Sequence, residues 1–186
     1  MIWSRRRRWM GNIVPLIPTA LVVAVAGGLG LGVWSLGLGV LVAIPLISRF
    51  GFWENSQIRS ELLAIYASDG LLVGFVFDRP ADYLDAHAEV GLLTISRNKL
   101  KINSEERTIE VPINASTRIT RQFNIHQLIG LGGWIRIQNE GLPDLRIESR
   151  EQNTMFASKR KTNQLFGQLQ KEKGGSEEPP ISNQLA

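Results

Sequence analysis

The hydrophobic pattern changes character twice along the chain. Across residues 13–47 there is no charged, amide or imidazole side chain, and the only hydroxyls are Thr19 and Ser35. A hydrocarbon layer about 30 Å thick takes roughly 20 helical residues. Such a stretch is long for one span and short for two. Gly27, Gly28, Gly30 and Gly32 fall near its centre and mark a reversal, which predicts a transmembrane or re-entrant helical hairpin with arms 13–26 and 33–47. Ala20 and Ala24 share a ridge on the first arm, as do Gly39 and Ala43 on the second, and these ridges are the expected contact. A single continuous helix with Ala20, Ala24, Gly28 and Gly32 in line is the competing topology.

After the apolar stretch, Ile58, Leu62, Ile65 and Tyr66 recur at helical spacing, with Glu54, Arg59 and Glu61 elsewhere on the wheel. This predicts a separate short helix over 53–67. Beyond Gly70 the period falls to two. Branched and aromatic runs at 71–77, 90–96, 99–103, 107–112, 117–124, 133–139 and 143–149 predict seven antiparallel strands. Ile135 and Ile137 alternate with Arg136 and Gln138, and Leu145 and Ile147 with Arg146 and Glu148, each strand having one buried and one wet face. Asn98 and the 139–141 run Asn-Glu-Gly are the turn signals. A last amphipathic helix, opened by Asn153 or Thr154, carries Met155, Leu165, Phe166 and Leu169, and the polar 174–186 tail is expected to be disordered.

The domain plan is a basic N-terminus at 1–12, a membrane hairpin at 13–48, a juxtamembrane helix and linker at 49–69, a β domain with its helix at 70–173, and the tail.

Charge sets the orientation. Four of the 21 basic residues are Arg5, Arg6, Arg7 and Arg8, and residues 1–48 hold no acid, so the remainder carries 17 basic against 17 acidic groups. A neutral body lacks the field for phosphate-backbone binding, which argues against nucleic acid as a partner. Lys and Arg near a span stay in the cytoplasm. With Arg49 and Arg59 beyond the second arm, both ends prefer one side, which predicts an inner-membrane protein whose N-terminus and body are cytoplasmic. Trp3, Trp9, Phe50, Phe52 and Trp53 bracket the apolar stretch as interfacial aromatics do. A secretory signal cleaved after Ala26 would leave a second apolar run at 27–47 with nothing polar before it, which argues against that reading.

Seven antiparallel strands followed by one amphipathic helix resemble the pleckstrin-homology (PH) superfold. The run from Glu89 to Ile102, Ile109-Glu-Val-Pro-Ile113, and the run from Ile125 to Trp134 look like bacterial PH-like and GRAM-like domains. The resemblance implies two orthogonal sheets in a partly open barrel, with the helix plugging one end. Phosphoinositide-binding members carry a basic signature on the first two strands and their loop. Here that loop, 78–89, holds four acids against one Arg, so recognition of an inositide there is not expected.

Arg97, Lys99 and Lys101 are instead the basic candidates for an anionic ligand, the alternative being the wet face of a hairpin. In the apolar, glycine-rich 128–133 loop, Leu128, Ile129 and Leu131 would touch a membrane or a partner, or close the barrel end. Asp82, Asp85 and His87 could approach a metal, but no other His or Cys completes a closed site. His126, among apolar neighbours, reads as a structural imidazole. With no Cys, no G-x-S-x-G elbow and no phosphate loop, the chain is expected to be no enzyme and to need no metal or cofactor. The expected function is a membrane-anchored binding or scaffolding module whose ligand is a protein segment or a lipid headgroup. The alternatives are a structural membrane component that forms homo-oligomers through the hairpin, or a metal-dependent enzyme using the Asp82, Asp85 and His87 loop.

Overall fold

The structure is a computed structural model that describes residues 2–14, 16–67, 69–78, 88–96, 98–123, 133–151 and 155–175. Three helices precede the sheet: α1 (Arg5–Ile13), α2 (Leu16–Gly28) and α3 (Trp34–Tyr66). The Ser4 hydroxyl caps α1 by accepting the Arg7 amide at 3.2 Å, so the arginine run is helical from its first residue. Pro18 lies in the first turn of α2, where a missing amide costs nothing.

Gly27 and Gly28 complete the last turn of α2. The reversal lies in 29–33, where Gly30 (φ +81°) and Gly32 (φ +52°) take the left-handed region that side chains avoid. The arms run antiparallel. Gly27 lies opposite Ser35, and Gly39 lies against Val23 and Thr19. Their contact uses Thr19, Val23 and Ala26 of α2, whereas Ala20 and Ala24 are exposed. The expected alanine ridge is thus one step around the helix from the real one. A Cβ on Gly39 would stand 2.4 Å from Val23 Cγ2, a stiff branched side chain. Gly39→Leu is therefore expected to part the arms. Disulfide formation between cysteines placed at Gly27 and Ser35 should slow by about fivefold, as for an overpacking cost of order 1 kcal/mol.

The expected break before a juxtamembrane helix is missing. α3 runs unbroken for 33 residues from the apolar arm through Pro45, Arg49 and Gly51 to Tyr66, and Ala67 ends it in the left-handed region with its amide on the Leu63 carbonyl at 2.9 Å. In the helix interior Gly51 costs about 1 kcal/mol and Pro45 about 3 kcal/mol. The packing of Ile58 and Leu62 outweighs that.

All seven strands form: β1 (Leu71–Phe77), β2 (Glu89–Ser96), β3 (Lys99–Ser104), β4 (Thr108–Pro112), β5 (Arg118–Gln122), β6 (Trp134–Gln138) and β7 (Leu145–Ser149), followed by α4 (Met155–Gly175). They make one continuous antiparallel half-barrel in the order β4-β3-β2-β1-β7-β6-β5, because β1 pairs with both β2 and β7. Asn98 (φ +60°) and Gly141 (φ +76°) turn the β2–β3 and β6–β7 hairpins. The inner face packs Val73, Phe75, Leu93, Ile102, Ile135, Ile137 and Ile147 into one core, which α4 closes with Leu165 and Leu169.

The outer face is not uniformly wet. Ile58 and Leu62 of α3, with Ile2, pack on Leu72, Val90 and Leu92, so α3 docks on the back of β1 and β2. Arg146 and Glu148, expected on a wet face, are 5% and 2% exposed. β7 is an interior strand, and on its outer face Arg146 donates to Gln122 of β5 and stands 3.9 Å from Asp144. Alternation gives the side of the sheet, not whether that side meets water.

Candidate membrane site and anchor junction

The continuity of α3 sets the length of its apolar half. Counted from Trp34 to Trp53, that half has 20 residues, about 30 Å of helix. Its only charge is Arg49, whose long stem can carry the guanidinium to an interface. Helices α1 and α2 together supply a second apolar segment, and little of either apolar segment is buried within the protein. Leu21, Val25, Leu36, Leu41 and Ile44 all face outward. Each arm therefore has the length and composition to cross a bilayer, and the arginine run of α1 lies at the same end of the hairpin as the sheet.

That end is a network of charge built on α3. Arg7 of α1 holds Glu61 at 2.9 Å and donates to the Ile2 carbonyl. Arg59 pairs with Glu151 and with Asp69. Arg150, just beyond β7, lies over the Trp3 ring at 4.4 Å, donates to Asn55 Oδ1 at 2.9 Å and stands 3.7 Å from Glu54. The Asn55 amide returns a hydrogen bond to the Arg150 carbonyl at 2.7 Å. Glu54, expected on the polar side of its helix, is 6% exposed, with its carboxylate where a Cβ on Gly11 would sit about 3.0 Å away. Gly11 is the small residue that lets α1 approach that carboxylate. Sequence reading missed this junction, since nothing in the spacing ties residue 54 to residue 150.

The basic candidates are only partly placed. Lys99 and Lys101 stand on the outer face of β3 and share Glu110 of β4 at 3.7 and 3.9 Å. This pairing lowers their attraction for an anion. Arg97, Leu128, Ile129 and Leu131 lie outside the described residues, as do Asp82, Asp85, His87 and His126. Among the described residues no group of three potential metal ligands comes together. Asn114, whose 114–116 letters form a sequon, is engaged in the turn after β4, where its Oδ1 accepts from the Ser116 hydroxyl and the Thr117 amide.

A second polar cluster lies on the outer face of β5 to β7. Asp144 accepts from Arg136 Nε and Gln138 Nε2, each at 2.9 Å, while Arg146 donates to Gln122 at 2.8 Å. The hydrogen bonds from Arg136 hold the Asp144 carboxyl below its ordinary value against the opposing effect of burial, with Gln138 and the charge of Arg146 adding to them. A depressed folded pKa stabilises above the unfolded value of about 4, and the benefit is lost as pH falls through the folded one. Unfolding midpoints measured from pH 5 down to pH 2 should therefore fall more steeply for the parent than for Asp144→Asn. Equal slopes would contradict this role.

No family model, curated protein or solved structure matches the chain.

Proposed function

We propose that the chain is a membrane-anchored binding or scaffolding module. Its hairpin enters the inner membrane from the cytoplasmic side, and its PH-like half-barrel is held at that surface to engage a protein segment or a lipid headgroup. The observation that carries this reading is the unbroken α3, which passes from a lipid-length apolar half into the packed back of the sheet. A domain held this way is displayed in one orientation, and tethering raises its local concentration so that a weak interaction becomes effective. The sheet order and the helix on the inner face support the likeness to PH-like and GRAM-like domains. The arginines of α1, at the same end as the sheet, support a cytoplasmic position.

The test is site-specific photo-crosslinking in native membranes, with the probe at exposed Thr108 of edge strand β4 or at exposed Leu38 of the hairpin. A discrete adduct to another protein at Thr108 is expected. Adducts formed only at Leu38, to a second copy of the chain, would replace the binding module with a hairpin-built structural oligomer.

A further inference from the structure

We infer that the β5 edge is a second membrane contact, resting on anionic phospholipid headgroups beside the hairpin. The inference depends on the hairpin being inserted as proposed above, and it adds which side of the half-barrel meets the bilayer.

The geometry follows from how α3 crosses the sheet. Tyr66, at the far end of α3, donates to the Ser104 carbonyl at the end of β3. Leu62 and Ile58 cover Leu72 on β1 and Val90 and Leu92 on β2. Asn55 meets Arg150, one residue past β7. Eleven residues of helix from 55 to 66 rise about 16 Å. Three strand spacings from β3 to β7 are about 14 Å. The helix thus runs across the strands, along the row Ser104, Gly91, Val73, Ser149 given by the pairing register. β3 lies at the end away from the apolar half and β7 at the near end.

Two strands continue this row past β7, first β6 and then β5. They add at most about 10 Å toward the lipid end. Asn55 is only two residues beyond Trp53, the last large exposed apolar residue of the membrane half, about 3 Å along the helix. A headgroup layer is roughly 5 to 8 Å thick on each side. The curl of the half-barrel shortens the descent, and a fraction of it suffices to bring β5 into that layer. Carried one residue past the Gln122 and Trp134 pair, the register ends the row on Phe123.

The chemistry of this edge fits what lies there. Phe123 is 65% exposed, an aromatic ring of the kind that settles among headgroups. Arg118 and Arg121 are exposed, β5 contains no acid, and neither arginine joins an ion pair among the described residues. Arg121 instead lies over the Phe166 ring of α4 at 4.6 Å, which holds its guanidinium at the edge. Planar guanidinium groups bind phosphate oxygens in pairs. The lysines of β3, by contrast, share Glu110 on the far side of the sheet.

The chain has no cysteine, so single cysteines carry spin labels without background. In full-length protein reconstituted into vesicles of neutral or anionic phospholipid, labels at Phe123, Leu38 and Thr108 are compared for access to oxygen and to a polar nickel complex. The expected order in anionic vesicles is Leu38 deepest, Phe123 at the interface and Thr108 in water. Arg118→Gln, which leaves Arg121 on Phe166, should reduce the immersed Phe123 population by about fivefold. If Leu38 is deep while Phe123 is as wet as Thr108, the second contact is refuted and the hairpin stands. If Leu38 itself is wet, the insertion reading falls. Immersion of Phe123 to the same extent in neutral vesicles would refute recognition of anionic headgroups.

Discussion

Arg150→Ala is expected to destabilise the folded chain by about 3–5 kcal/mol, the range for stripping one partner from a buried ion pair. The side chain is 13% exposed and faces Glu54, whose own side chain is 8% exposed. Removing the guanidinium leaves that carboxylate in a site with little water, and also removes the cover of the Trp3 ring and the bond to Asn55. Chemical denaturation in detergent, followed by tryptophan fluorescence, reads the loss. Adding Glu54→Gln to Arg150→Ala should recover part of it, because the stranded charge is gone. A double mutant no more stable than Arg150→Ala would show that the cost comes from packing alone.

The second large effect is expected from Leu62→Ala, at about 2–5 kcal/mol. Leu62 is fully buried between α3 and the back of the sheet, where a cavity has little means of collapsing. Ile65, on the same helix but 54% exposed, is the control and should cost well under 1 kcal/mol as alanine. Amide hydrogen exchange locates the damage. Protection should fall over residues 55–66 and in β1 and β2, while the contact between Val23 and Gly39 is kept. If Leu62→Ala and Ile65→Ala cost the same, α3 is not docked as described.

These two residues show where the sequence was legible and where it was not. Leu62 was readable, because Ile58 and Leu62 recur at helical spacing and need a partner surface. The seven strands were readable too, since Ile135 with Ile137 and Leu145 with Ile147 repeat at period two between turn residues. The element that escaped was continuity. Ser48, Arg49 and Gly51 look like punctuation between two helices, yet each is tolerated inside one, and the partners that hold the helix beyond them, Leu72, Val90, Leu92 and Arg150, are remote in sequence. Arg146 and Glu148 escaped for a related reason. Their spacing places them on the outer face correctly, but whether that face meets water is decided by strands and helices remote in sequence. The junction around Glu54 left no local signal, because a buried carboxylate is recognisable only through the arginine that meets it. The β5 edge left a weak one: Arg118, Arg121 and Phe123 stand in a strand without an acid, and only the sheet order gives that meaning.

Thiol labelling measures the sidedness of the hairpin most directly. Single cysteines at exposed Arg6 in α1, Leu31 in the turn and Glu140 between β6 and β7 are treated with a membrane-impermeant maleimide in intact cells and in inverted vesicles. Positions 6 and 140 should both react in inverted vesicles and neither in intact cells, with the chain retained in membranes after alkaline extraction. Reaction of positions 6 and 140 from opposite sides, or recovery of the chain in the soluble fraction, would contradict a hairpin that returns its two ends to one aqueous compartment.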